Sequence, residues 1–291
     1  MNEKLNSGTC RWIWILRTKG LWRSQRIAAL LVSLWCGWAA GVKVAASDDE
    51  PLVVRVMTYN IHHAEDTNGQ LNLERIAAVI RESRADVIAL QEVDRHVPRS
   101  GNVDQLAELA KALDMHGSFG PNIDLAGGEY GNAILSRWPI ASWKNHLLPN
   151  VRNGEQRGLL EADIQLPGDR PLKLFATHFD HRPSEEERLQ SAAFVNQQQV
   201  DGANRGASCS VILAGDINAR PESETLQVLL QRWQMTDQTL APTIPSAEPK
   251  YKIDYIFIER DAPKIKVLES IVVDEPIASD HRPLLSILEI K

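Results

Sequence analysis

Residues 53–59 read Val-Val-Arg-Val-Met-Thr-Tyr, a run of β-formers that stops at a polar Asn60. The same alternation of apolar runs and abrupt polar ends recurs to the C-terminus. Asp86-Val87-Ile88-Ala89-Leu90 is a buried-strand run ending in Gln91-Glu92, and residues 210–214 form another that ends at Gly215-Asp216. Further strands are predicted over 131–135, 140–148, 157–166, 171–177, 253–258, 264–273 and 284–290, with Pro167-Gly168-Asp169-Arg170 as a hairpin-type turn. Helical spacing of Leu73, Ile76, Ala77 and Ile80 predicts a helix over 73–84, and others are expected over 103–113 and 222–231. Ser184-Glu185-Glu186-Glu187 reads as a capping box opening a long helix towards Val200. Strands in runs with helices interspersed predict an α+β fold, a four-layer sandwich of two packed mixed β-sheets flanked by helices.

The first 46 residues break this pattern. Arg11, Arg17, Lys19, Arg23 and Arg26 precede a fourteen-residue apolar run, 27–40, and Val44-Ala45-Ala46 offers small residues for signal cleavage. The run is short of the roughly 20 residues that span a bilayer, which favours a cleaved signal peptide over a retained signal anchor. An exported protein, periplasmic or extracellular, is expected, with membrane association through the N-terminal segment as the alternative. Residues 47–291 show no repeat or low-complexity linker and are expected to form one catalytic domain, a monomer by default.

Charge and cysteine content narrow the choice of partners. Residues 1–46 hold seven Lys/Arg and one Asp/Glu, so the remainder carries 25 basic against 37 acidic residues. Non-specific attraction to a polyanion is therefore not written into its overall charge. Cys209 is the lone cysteine beyond the N-terminal segment and cannot form an intramolecular disulfide.

Candidate chemistry sits at the strand ends. Asn60, Glu92, His178, Asp216, Asn218, Asp254, Asp280 and His281 each border an apolar run, and the ends of adjacent strands share one rim of a sheet. Glu92, helped by Asn60 and Asp280, supplies hard oxygen ligands suited to magnesium or manganese. No Cys pair, His-Glu-x-x-His helix, Gly-rich phosphate loop or Ser elbow is present, which leaves activated water as the attacking group. A metal, a water-activating group and a cation for the developing charge together make metal-assisted phosphoester hydrolysis.

Seven short motifs, in order, resemble those of the endonuclease/exonuclease/phosphatase family. They are Thr58-Tyr59-Asn60-Ile61, Leu90-Gln91-Glu92-Val93, Gly131-Asn132-Ala133-Ile134-Leu135-Ser136, Thr177-His178-Phe179, Gly215-Asp216-Ile217-Asn218, Ile253-Asp254-Tyr255-Ile256 and Ser279-Asp280-His281-Arg282-Pro283. The resemblance implies that Glu92 binds the metal directly with Asn60 and Asp280 nearby. It implies that Asp216 orients or deprotonates the water, that Asn218 holds nucleophile and phosphate, and that His178 contacts the scissile phosphate. His281, steadied by Asp254, would be general base or phosphate clamp, and the proton is assigned jointly to Asp216 and His281.

Asn132, Arg157 and Arg182 are expected to bind substrate, although turn chemistry accounts for them, and for Asp180 and His181, almost as well. The resemblance to the family's nuclease branch, which pairs a leaving-group histidine with a Glu from this region, makes Glu129 a candidate for that partner. The segment 120–129, read as a loop, carries Asp124 and Glu129 and no Lys or Arg, a poor surface for a duplex backbone. A phosphodiesterase of a small or lipid-derived ester is therefore expected. A secreted nuclease using Arg95, Arg99, Arg152, Arg157, Arg182 and Lys252 as a basic track is the alternative, and a non-catalytic binding module ranks last.

Overall fold

A computed structural model describes residues 50–202, 209–260 and 264–291. The export segment expected over 1–46 lies outside the described residues. Among those described, no helix is long and apolar enough to cross a membrane.

In chain order the strands are β1 (Leu52–Asn60), β2 (Val87–Arg95), β3 (His116–Leu125), β4 (Gly128–Ser136), β5 (Ile140–Leu147) and β6 (Gly158–Leu166). They continue as β7 (Arg170–His178), β8 (Ser210–Asp216), β9 (Trp233–Met235), β10 (Asp254–Glu259), β11 (Ile265–Val272) and β12 (Leu284–Ile290). The helices are α1 (Leu73–Glu82), α2 (Gln105–Leu113), α3 (Glu186–Gly202) and α4 (Glu224–Leu229). Two six-stranded sheets form, ordered β11-β12-β1-β2-β4-β3 and β5-β6-β7-β8-β10-β9. Both are mixed: β1 and β2 run parallel in the first, as do β7 and β8 in the second.

Three apolar layers hold the elements together. Val54, Val56, Ala89, Leu160, Leu174, Ile212, Ile256 and Leu288 pack between the sheets. Met57, Ile88, Leu90 and Leu135 turn the other way to meet Ile76, Ile80 and Leu109 of α1 and α2. Phe175, Leu213 and Phe257 meet Ala192, Val195, Leu226 and Leu229 of α3 and α4. The period-2 alternation of strand side chains thus feeds an inner and an outer core at once, the signature of a sheet buried on both faces. Each fully buried aliphatic or aromatic side chain contributes about 1.5–3 kcal/mol.

Helix starts follow local chemistry. Asn72 and Asp104 accept hydrogen bonds from the backbone N–H of Arg75 (3.1 Å) and Ala107 (2.9 Å), which fixes where α1 and α2 begin. The second therefore starts at Gln105, two residues later than the apolar spacing suggests. In the expected capping box, Glu187 does not fold back on Ser184. It accepts instead from the backbone of Val151 and Arg152 and pairs with Arg182.

Two strands depart from expectation. Residues 116–125 carry two glycines and a proline, which argue against a strand, and 120–129 was expected to be a loop. They form β3 all the same, because β3 is an edge strand with a bulge beside Pro121, where a missing N–H is tolerated. β9 has only three residues, too few for any alternation to show.

Candidate active site

The topology brings the polar strand ends to one rim. Asn60 and Glu92 lie at or near the ends of parallel β1 and β2, and His178 and Asp216 are register partners at the ends of parallel β7 and β8. Asp254 opens antiparallel β10 directly opposite Asp216, and β12 begins against the end of β1, which carries Asp280 and His281 to the same rim. Gly215 makes the close approach of β7 and β8 possible, since a Cβ there would sit 2.0 Å from the Thr177 carbonyl oxygen.

Glu92 reaches the rim through a bulge. Leu90 pairs with Ala133 and Val93 with Gly131, so Gln91 and Glu92 together oppose Asn132. Glu92 sits at φ 58°, a left-handed backbone that costs a non-glycine residue about 1 kcal/mol or more. Asn218, at φ 50°, is a second such position on this rim.

The two sheets are stitched by Asn60. Its Nδ2 donates to Glu92 Oε1 at 2.9 Å and to Asp216 Oδ2 at 3.2 Å. Asp216 Oδ1 accepts from the Asn218 backbone N–H at 2.9 Å, and the Asn218 side chain donates to the Phe179 carbonyl. Burial, then the neighbouring Asp254 carboxylate, raises the Asp216 carboxyl well above its ordinary value of 3.8. His281 Nδ1 lies 2.9 Å from Asp254 Oδ2, which also accepts from Thr243 Oγ1 at 2.5 Å. Burial alone would lower His281, but the carboxylates of Asp254, Asp216 and Asp280 override it and lift its pKa from 6.5 to about 10. Its other nitrogen, Nε2, stands 3.7 Å from Asp216 Oδ2.

His178 is held in the opposite state. Arg157 Nη1 lies 3.0 Å from its Nδ1, and a guanidinium can only donate, so Nδ1 is the acceptor and Nε2 carries the proton. Burial, then the Arg157 charge, pushes His178 well below 6.5 and keeps it neutral. Its Nε2 faces Asp216 Oδ2 at 3.5 Å. Asp216 therefore has Asn60, His178 and His281 around one oxygen.

These groups open into a cavity of about 360 Å³. Glu92, Arg157, His178, Asp216, Asn218 and His281 line it, with apolar walls from Ile123, Leu125, Ile244 and Ile253. Asp254 stands behind His281. Asp280 is half-buried beside His281 and is not among the lining residues. Asn132 is buried under the rim, donating to the Gly158 carbonyl at 2.9 Å, and faces no substrate space. Arg182 belongs to a neighbouring depression, clamped by Asp180 (2.9 Å) and Glu187 (3.0 Å). Glu129 pairs with Arg95 across β2 and β4 rather than with a histidine.

Thr243, Tyr130 and Glu155 carry no signal in the sequence, while Ser279, Arg99 and His181 stand there without the roles that the structure gives them. Thr243 and Ser279 sit in loops, and Ser279 Oγ donates to the Asn60 carbonyl and accepts from the His281 N–H. Arg99, Tyr130, Glu155 and His181 also line the cavity. His62 and His63, directly after the first motif, lie near Glu92, and their position next to Asn60-Ile61 is the sequence signal that points to them.

The donor set suits a divalent cation. The Asp216 and Asp254 carboxylates lie within 4.8 Å of each other beside the protonated His281 ring, Asp254 Oδ1 is buried without a hydrogen-bond partner, and Glu92 stands across Asn60. Carboxylates this close are the hard oxygen ligands that magnesium and manganese take, and a cation there would offset their repulsion.

Comparison with known proteins agrees with this geometry. The model of the Endonuclease/Exonuclease/phosphatase family matches residues 57–281. The uncharacterized protein YbhP of Escherichia coli (strain K12) is 26% identical over 248 residues, 79% of this chain and 94% of that protein. An endonuclease/exonuclease/phosphatase from Beutenbergia cavernae superposes with a TM-score of 0.70 at 27% identity, covering 82% of this chain and 72% of that one. The mannosyl-6-phosphatase Bt3783 of Bacteroides thetaiotaomicron shares the fold, with a TM-score of 0.66 at 20% identity over 81% of this chain and 99% of that one. The chain belongs to the endonuclease/exonuclease/phosphatase family, whose members hydrolyse phosphoester bonds.

Proposed function

We propose that this protein is an exported, magnesium- or manganese-dependent hydrolase of a small or lipid-derived phosphodiester. The observation that carries the substrate class is the state of its cations. All six residues that would make a basic track already have carboxylate partners. Arg95 pairs with Glu129, Arg99 with Asp94 (2.8 Å), Arg152 with Glu186 (2.5 Å), Arg157 with Glu155 (2.8 Å), Arg182 with Asp180 (2.9 Å) and Lys252 with Asp237 (2.8 Å). Lys252 is also buried, out of reach of any polyanion. A duplex needs several free Lys or Arg along its phosphates, whereas a cavity of about 360 Å³ with four apolar wall residues suits a compact ester.

The roles divide by protonation. Glu92, hydrogen-bonded by Asn60, would hold the metal together with Asp280 from the turn that carries His281, and the metal when bound would polarise a phosphoryl oxygen. Asp216, raised towards neutrality by burial and Asp254, is poised to take the proton of the attacking water. His281 remains an imidazolium because Asp254 stabilises it, so it serves as clamp for the phosphoryl charge and not as base. His178 presents Nε2–H as an uncharged donor, and Arg157 fixes that tautomer from behind. Asn218 positions Asp216 through its backbone N–H.

A substrate panel tests the class: bis-p-nitrophenyl phosphate, p-nitrophenyl phosphate, sphingomyelin and plasmid DNA, each with magnesium at two salt concentrations. Turnover of a small or lipid diester with little salt dependence is expected. Salt-sensitive cleavage of DNA as the fastest reaction would replace this reading with the nuclease.

A further inference from the structure

We infer that His62, His63 and Glu92 form a second cation site, one that takes a nitrogen-preferring divalent transition metal of the zinc class in preference to magnesium. One ligand atom from each residue lies within 4.8 Å of the other two. Tetrahedral bonds of about 2.1 Å place ligand atoms about 3.4 Å apart, so closure needs side-chain movements of up to about 1.4 Å. Two imidazoles and a carboxylate are a borderline donor set, unlike the oxygen ligands on the other side of Glu92.

The backbone explains how neighbouring residues can act together. In a strand His62 and His63 would point to opposite faces. Here His62, His63 and Ala64 take φ values of 46°, 42° and 63°, and this left-handed curl brings the two rings to 4.5 Å between centroids. Glu92 is also left-handed, so all three ligands stand on strained backbone, the kind of strain that collects at functional sites. Gln105 Nε2 donates to the His63 carbonyl at 2.6 Å and helps to hold the curl.

Glu65 sets both tautomers. His62 Nδ1 meets the Glu65 carbonyl at 3.2 Å, which makes it the donor and leaves the Nε2 lone pair free. His63 Nε2 faces the Glu65 carboxylate across 3.5 Å, the arrangement that supports a metal-binding histidine from behind. His63 Nδ1 is then left as a buried nitrogen with no hydrogen-bond partner, on a residue only 8% exposed. A buried lone pair without a partner is costly unless something occupies it. Glu92 Oε1 is taken by Asn60, and Oε2 is its remaining oxygen. The Arg99 charge nearby is neutralised by Asp94, which binds it through both oxygens at 2.8 and 2.9 Å.

The test is equilibrium dialysis of the full chain against zinc in the presence of excess magnesium, which fills the oxygen site. It does not depend on hydrolysis. The wild type is expected to retain one equivalent of zinc, and His62→Ala and His63→Gln each to weaken it by at least about 100-fold, more than the loss of an outer partner costs. His62 is only partly buried, so His62→Ala decides the matter if the His63 variant loses its circular dichroism. No zinc retained by the wild type, or zinc retained unchanged by His62→Ala, would overturn the inference.

Discussion

Asp254→Asn separates charge from geometry at the rim. Asp254 Oδ2 receives both His281 Nδ1 and Thr243 Oγ1, while Oδ1 has no partner. An asparagine can therefore keep both hydrogen bonds through its carbonyl and place its amide where Oδ1 stood. What it removes is the largest of the three carboxylate charges, ahead of Asp216 and Asp280, that together lift His281 from 6.5 to about 10 against burial. Without that charge the balance shifts towards burial and the pKa falls. At pH 8 the imidazolium fraction is about 99% in the wild type and would be about 3% at a pKa of 6.5, so a reaction that needs the cation slows by up to about 30-fold. Stability moves in the same direction. A raised histidine pKa stabilises the fold fully below the unfolded value of 6.5, and this is lost as pH rises through about 10. Breaking a buried pair costs about 3–5 kcal/mol, or about 6–20 °C in Tm for a domain of this size. The assay is the pH profile of bis-p-nitrophenyl phosphate hydrolysis for wild type and variant at one magnesium concentration. The alkaline limb should move to lower pH, by up to about 3.5 units, with the metal-free Tm lowered below pH 9. An unmoved limb would refute the assignment of His281 as a cation.

Three further predictions concern other parts of the site. Arg157→Lys retains a charge for Glu155 but cannot reach His178 and His181 together, so kcat should fall about 10- to 100-fold, equivalent to one or two buried charge-assisted hydrogen bonds. Steady-state kinetics would show it, and an unchanged kcat would remove Arg157 from the mechanism. Gly215→Ala forces β7 and β8 apart and should destabilise the fold by about 3 kcal/mol, read as a Tm drop of about 6–12 °C. Because burial and Asp254 raise Asp216, its share of stability is lost as pH rises above 3.8, and magnesium should restore it. Magnesium at about 100 times its Kd adds about 2.7 kcal/mol, so the Tm gain should be larger at pH 8 than at pH 5.

The fold was readable where patterns are strong. β12 runs over residues 284–290 as its apolar run predicts, because it is a central strand between β11 and β1 whose side chains are mostly buried. β3 was hidden by glycine and proline that only an edge position tolerates, and the start of α3 by a glutamate recruited to Arg182. At the site, strand-end residues stood out because a core does not explain a lone Glu92 or Asp216. Arg182 and Asn132 are weaker in sequence, where turn chemistry explains them almost as well, and three-dimensional packing shows that one is clamped by acids and the other lies under the rim. Thr243 reaches Asp254 from a loop and has no pattern to betray it.

The most direct measurement is the rate of phosphoester hydrolysis by the purified protein with magnesium, with EDTA, and with Asp216→Asn in magnesium. Hydrolysis that EDTA abolishes and that the variant lowers by about 100-fold or more is expected, as for loss of a general base. Hydrolysis that survives EDTA, or that Asp216→Asn leaves intact, would contradict a metal-dependent reaction centred on this rim.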